Sequence, residues 1–348
     1  MERRDKLLSG LDITTSTGVE IGPLCRPAVA KSEGEIIYVD HADTAALRKK
    51  YADGPDVNTG EIAEVDAVWG EQTLQACLKD KKVDYVIASH VIEHVPDMIT
   101  WLEEIEAVLR PEGSLRLVVP DRRFTFDYLR HESRLCDLVN AYVLRARTPL
   151  PIAILDHFIS VRRVDLQAAW EGTLPAELPL VPGHDLNGGI GLAKDQVANG
   201  NYHDVHCWVF TPRSFANLFA EAAAEGLIRY ACKTLYDTEP GQLEFVAILE
   251  PCADRDRIVN SWQQAVAAVK DFNPAQQSDS SDGSPSERSL SDQIRSLNLS
   301  LAETEERLRG VEKILAAVVN SRSWKLTGPL RSLRKAFRSS RRDTCGLR

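Results

Sequence analysis

Histidines and carboxylates gather at two places where they could do chemistry. The first is His90-Val-Ile-Glu93-His94 and the second is Tyr202-His203-Asp204-Val205-His206. An unperturbed imidazole titrates at about 6.5, so it can take a proton from a hydroxyl near neutrality. His90, His94 and His206 are the candidate bases on that ground. The first cluster also has the HxxEH spacing of zinc proteases, which need both histidines on one face of a helix. His90 directly follows the apolar run Val83–Ser89, which reads as a strand, so it falls on a turn and the protease reading fails. In the second cluster, His203 and His206 with Asp204 could bind a divalent cation, supply a base or hydrogen-bond within a loop. The spacing leaves all three open, and no metal ligand is assigned. His157 and His184 stand alone and receive no role.

Two acids suggest a nucleoside. Glu20-Ile21-Gly22-Pro23 ends one strand-like run and Tyr38-Val39-Asp40 ends the next. An acid about 20 residues after the first strand-turn is where a doubly wound fold holds a ribose diol. A dinucleotide also needs a glycine-rich turn, because its pyrophosphate sits against backbone N–H groups. Here Pro23, Leu24, Cys25, Arg26 and Pro27 follow Gly22. Two prolines remove two donors, and side chains fill the space of the missing glycines. S-adenosylmethionine carries a sulfonium and no phosphate, so it needs no such cradle. Its amino group suits a carboxylate such as Glu20.

The elements around these residues alternate. Gly18–Ile21, Glu35–Val39, Glu64–Trp69, Val83–Ser89 and Ser114–Val119 read as strands, and Thr44–Tyr51 as a helix. Pro27 stands where a further helix could start. Asp97–Arg110 has Met98, Trp101, Leu102, Ile105, Val108 and Leu109 at helical spacing, and Pro111–Gly113 ends it. This alternation implies an α/β fold, a doubly wound and mostly parallel sheet. Ligands then sit beyond the carboxyl ends of the strands, which puts His90 and His94 beside a bound cofactor. Phe124 to about Arg147 reads as helical. Residues 148–206 carry scattered prolines and a glycine cluster, and read as an irregular, acceptor-side insertion. Thr211-Pro212 starts a helix that runs to about Glu225. Ile228–Leu235 and Leu243–Leu249 flank the turn 237–242 as an antiparallel hairpin.

At this point the chain resembles the class I S-adenosylmethionine-dependent methyltransferases over roughly residues 18–250. The resemblance rests on GVEIG at 18–22, YVD at 38–40, VDYVIASHVIEHV at 83–95, LRPEGSLRLVVPD at 109–121 and FTPRSF at 210–215. The first block departs from the family's ExGxGxG, with Leu24 and Arg26 in place of glycines. The resemblance implies a Rossmann-like domain with S-adenosylmethionine as cofactor. It places Glu20 and Gly22 at the methionine end, Asp40 at the ribose, Asp66 and Trp69 near the adenine, and His90 and His94 near the methyl group. It favours His206 as the base on the acceptor side.

The rest of the chain reads differently. Residues 251–272 look like a helical extension and 273–289 a disordered Ser/Asp/Pro-rich linker. From Leu290 to Val318, apolar residues step 4-3-4-3 through four heptads, broken only by Thr304, so 290–320 is expected to self-associate as a coiled coil. Residues 321–348 form a basic tail, with eight basic and no acidic residues between Asn320 and Arg342. Leu326, Leu330, Leu333 and Phe337 alternate with those charges, which suits an anionic membrane surface. The segment Ser321–Arg331 resembles one that follows coiled coils in bacterial surface-polysaccharide enzymes. The whole chain of 348 residues is acidic, with a formal charge of −9, so a nucleic-acid partner is not expected. No run of about 18 uncharged apolar residues spans a membrane. Seven scattered cysteines form no CxxC pair and fit a reducing cytoplasm, with peripheral attachment to the inner membrane. The reading is a methyltransferase acting on a glycan hydroxyl. Its rivals are an inactive scaffold that recruits polysaccharide enzymes and a small-molecule methyltransferase.

Overall fold

A computed structural model describes residues 1–52 and 57–270, which belong to one compact unit, Met1–Ser278. The linker, coiled coil and basic tail expected from the sequence lie outside the described residues.

Among the described residues, seven strands form one sheet. They are β1 Thr17–Ile21, β2 Glu35–Asp40, β3 Ala67–Val68, β4 Val83–Ser89, β5 Leu109–Pro120, β6 Tyr230–Tyr236 and β7 Glu244–Pro251, in the order β3-β2-β1-β4-β5-β7-β6. The first five strands run parallel, and β7 enters antiparallel between β5 and β6. The unbroken apolar run of β4 fits a strand covered on both faces. Val83, Val86 and Ala88 join one core, and Tyr85 and Ile87 the other. The strand order moves outward in opposite directions from β1 and β4, so a crevice opens at their carboxyl ends.

The helices are α1 Arg3–Leu7, α2 Thr44–Lys50, α3 Leu74–Cys77, α4 Met98–Val108, α5 Leu135–Leu144, α6 Pro151–Ser160, α7 Leu166–Glu171, α8 Leu186–Asn199, α9 Pro212–Ala224 and α10 Arg255–Ala268. The face of α4 that carries Met98, Trp101, Leu102, Ile105 and Val108 is buried, as its spacing dictates. In α10, Trp262 is fully buried, packs 4.8 Å from the Phe219 ring and donates to the Tyr230 carbonyl at 2.8 Å. Truncating a side chain so placed costs about 3–5 kcal/mol. None of the described helices is long and apolar enough to cross a membrane.

Several local expectations need correction. No helix starts at Pro27; residues 22–34 form a turn-rich loop. The third strand shrinks to Ala67–Val68. β5 begins at Leu109 and takes in Pro111–Gly113, with a register shift between Val83 and Tyr85 of its neighbour. Between Phe124 and Arg147 only α5 is α-helical. The largest difference is in 148–206, which holds three helices. Several of its punctuating residues sit at helix ends, while Gly188, Gly189 and Gly191 are taken into the first turns of α8. Pro151 occupies the first turn of α6, Asp165 and Asp185 cap α7 and α8, and Gly172 and Gly200 take left-handed conformations just past their ends.

Candidate active site

At the crevice lies a cavity of about 1450 Å³, walled by the ends of β1, β2 and β4 and by α4 and α5. This exceeds the roughly 300–1,000 Å³ of an ordinary small-molecule pocket, so a nucleoside cofactor has room. Gly22 turns the chain out of β1 at φ +66°, and an added Cβ would stand 3.2 Å from the Val91 side chain. Leu24 keeps a left-handed backbone, φ +43°, where the related pattern has glycine. A non-glycine residue adopts this conformation less readily.

Asp40 ends β2 inside this cavity. Its Oδ1 accepts from the His41 N–H at 2.7 Å, while its buried Oδ2 has no hydrogen-bond partner. A buried carboxylate oxygen without a donor is costly unless a ligand supplies one. A ribose hydroxyl fits that need. Trp69 also lines the cavity, stacks on Trp101 with centroids 6.4 Å apart, and donates from its indole to Glu104.

Glu20 and Asp66 are placed elsewhere. Strand alternation turns Glu20 to the opposite face of the sheet from Ile21, where its carboxylate accepts from the N–H groups of Ala28 and Val29. Burial pushes its pKa up to about 7 against those two donors. Asp66 accepts from the Tyr38 N–H at 2.8 Å and pairs with Lys31. Both carboxylates therefore hold loops together, and neither lines the cavity.

A second cavity, about 470 Å³, adjoins the first. His90 and His94 line both; Glu93, His206, Phe126 and Leu243 are among the other walls of the smaller one. Arg162, Arg163 and Val181, from the 148–206 segment, close its far side. His90 leaves β4 with φ +53°, and its Nε2 lies 2.5 Å from Glu244 Oε2. Burial pulls its pKa down, but the bond to Glu244 and the nearby Glu93 carboxylate outweigh that and raise it to about 9. His90 is therefore a cation near neutrality. Glu93 is fully buried and neither of its oxygens has a hydrogen-bond partner. The rings of His94 and His206 meet edge to face, 4.7 Å apart. His94 Nδ1 faces Asp204 Oδ1 at 2.9 Å, and His206 Nδ1 bonds Asp127 Oδ2 at 2.5 Å. Burial raises the pKa of Asp127, but His206 and Arg130 outweigh it and hold the group down to about 2. An anionic Asp127 fixes His206 with its proton on Nδ1 and leaves Nε2 to accept.

The structure thus brings His90, His94 and His206 together, with Gly22, Asp40 and Trp69 in the adjoining cavity. His203 turns away to Asp195. The sequence reading missed Asp127 and Glu244, which have no motif of their own and arrive from 79 and 154 residues away.

Residues 2–225 match the family described as a methyltransferase domain, and the chain belongs to it. It is an S-adenosylmethionine-dependent methyltransferase, and the partnerless Asp40 oxygen fits the ribose of that cofactor. No curated protein matches the chain. Among solved structures, the CcbJ methyltransferase from Streptomyces caelestis is 11% identical, with a TM-score of 0.36, over 72% of this chain and 97% of its own. An S-adenosylmethionine-dependent methyltransferase from Mesorhizobium loti is 12% identical, with a TM-score of 0.34, over 71% and 95%. A chain named for Zn-dependent alcohol dehydrogenases, from Rhodobacter sphaeroides, is 12% identical with a TM-score of 0.39, over 71% and 88%. Similarity at this level adds nothing to the family match.

Proposed function

We propose that the chain methylates a hydroxyl group of a carbohydrate bound in the smaller cavity. The supporting observation is that His90 and His94 wall both cavities, so an acceptor in one abuts a cofactor in the other. The cofactor supplies an activated methyl group, and the chain's own residues must align the acceptor and exclude water. A hydroxyl must also lose its proton as its oxygen gains the methyl. His206 Nε2, backed by Asp127, is the proton acceptor in this reading. His90 is already protonated, so it orients groups instead. The carbohydrate rests on the resemblance of Ser321–Arg331 to polysaccharide enzymes. In the same reading, 290–320 joins copies of the chain and 321–342 brings them to an anionic membrane.

The test is to offer the full chain S-adenosylmethionine with nucleotide sugars, polyprenyl-linked glycans, and non-carbohydrate alcohols, amines and thiols. S-adenosylhomocysteine release and product mass are read. Methylation of a sugar hydroxyl is expected. Methylation confined to amines or thiols overturns the hydroxyl reading, and methylation confined to non-carbohydrate alcohols overturns the sugar.

A further inference from the structure

The geometry points to a divalent-cation site formed by Glu93, His94 and His206 at the wall shared by the two cavities. One ligand atom from each of the three residues lies within 4.8 Å of the others. Three features of the cluster support an ion over a plain hydrogen-bonded core. Glu93 is fully buried, yet both its oxygens lack a hydrogen-bond partner. The nearest positive group is His90, whose Nδ1 stands 3.5 Å from Oε1 outside hydrogen-bonding geometry, and a cation held by the three residues would give both oxygens the close contact they lack. Next, each histidine has a carboxylate beside its Nδ1: Asp127 hydrogen-bonds His206, and Asp204 stands 2.9 Å from His94 outside hydrogen-bonding geometry. Nε2 is then the free nitrogen of His206. Carboxylates behind metal-binding imidazoles fix their tautomer and raise their basicity in this way. Last, the three residues line the smaller cavity, so coordination positions beyond the protein ligands open toward it. Three protein ligands with open positions is the arrangement of catalytic rather than structural metal sites.

The donor set selects the ion class. Two imidazoles and one carboxylate suit a first-row divalent cation such as Zn²⁺, Fe²⁺ or Mn²⁺. Ca²⁺ and Mg²⁺ prefer all-oxygen shells. His90 lies behind the site: its Nδ1 is 3.5 Å from Glu93 Oε1 and its Nε2 is held by Glu244, so it positions Glu93. The role of the ion rests on the hydroxyl-acceptor reading; its presence does not. An acceptor hydroxyl bound at an open position would have its pKa lowered by the ion, and its proton would pass to water in the smaller cavity. His94 and His206 would then act as ligands, and no strong base would be required.

The experiment is a cobalt titration of the full-length chain, freed of metal with a chelator and then freed of chelator. Co²⁺ reports its ligands by visible absorption. Saturable uptake of one ion per chain is expected, without a thiolate-to-cobalt band and displaced by Zn²⁺. Glu93→Gln and His206→Ala should abolish it, and Asp127→Asn should weaken it by about 10- to 100-fold. His203→Ala should bind as the parent chain does. Circular dichroism checks folding. If a ligand variant unfolds, the parent titration decides. No saturable uptake, a thiolate band, or unchanged uptake in folded Glu93→Gln and His206→Ala overturns the site. Hydroxyl methylation that survives chelation, with no cobalt uptake, overturns the ion and leaves the acceptor reading intact. Cobalt uptake that meets these criteria in a chain that methylates no hydroxyl supports the ion and fails that reading alone.

Discussion

Asp127 Oδ2 lies 2.5 Å from His206 Nδ1, and the same carboxylate accepts from Arg130 through Oδ1 at 2.9 Å. Arg130 also binds Asp156 and the His206 carbonyl. The segment after β5 is thereby locked to the loop before α9. Asp127→Ala would leave a buried guanidinium with one carboxylate fewer and His206 without its orienting group. Breaking a buried pair from one side costs about 3–5 kcal/mol. Urea unfolding of this variant should show a loss of that order with an unchanged slope. A loss below about 1 kcal/mol would mean the network does not hold the fold.

Asp40 should matter more for the cofactor than for the fold, because its Oδ2 has no protein partner and its Oδ1 is held only by the adjacent, exposed His41. S-adenosylmethionine at about 100 times its dissociation constant should stabilise the chain by roughly 2.7 kcal/mol, a rise of several degrees in Tm. Asp40→Ala should remove most of that rise while melting near the parent temperature without ligand. An equal rise in both proteins would sink the ribose assignment.

The parts of this molecule legible in the sequence were those governed by one periodicity at a time. The two-faced apolar run of β4, the helical spacing of α4 and the Thr211-Pro212 start of α9 lie where their residues place them. The 148–206 segment was misread because its prolines and glycines punctuate helices as readily as they break them. Glu20 and Asp66 were misassigned for another reason. Glu20 alternates to the face away from the cavity, and backbone donors bind both carboxylates, from Ala28 and Val29 for Glu20 and from Tyr38 for Asp66. Glu93 stood in plain view between His90 and His94, but its full burial without a hydrogen bond became visible only in three dimensions.

Glu20 gives the fold a pH dependence. Its pKa is raised from 4.5 to about 7 in the folded chain, chiefly by burial. Between those values the folded state keeps a proton that the unfolded state has released, so stability falls as pH rises. The full effect is on the order of 3 kcal/mol. Glu20→Gln cannot ionise and lacks this slope. Urea unfolding at about pH 5 and about pH 8 should show the variant gaining on the parent by that order across the interval. A constant difference would show that Glu20 ionises normally.

Leu24 should tolerate glycine and resist branching at Cβ. The left-handed conformation costs a non-glycine residue roughly 1–2 kcal/mol, and more when Cβ is branched. Its carbonyl accepts from the Ala63 N–H at 2.8 Å, so the turn is tied to a neighbouring loop and is not free to relax. Leu24→Gly should melt near the parent chain, within about 1 kcal/mol, since relief of strain offsets added flexibility. Leu24→Val should lose at least about 1 kcal/mol. The reverse order in thermal melts would show that packing, not backbone conformation, governs this turn.

The basic tail permits a test independent of the catalytic domain. Eight basic residues between Asn320 and Arg342, with Trp324 and Phe337 among them, form a cationic and partly apolar segment. Each Lys or Arg near an anionic bilayer contributes about 1 kcal/mol, within a Debye length that shrinks as salt rises. Intact protein should therefore float with anionic vesicles at low salt and release at high salt. A chain ending at Asn320 should stay at the bottom of the gradient. Self-association through 290–320 would multiply the attachment points and strengthen flotation beyond a single tail. Equal flotation of both chains would remove the tail from the membrane argument, and flotation of neither would remove the membrane.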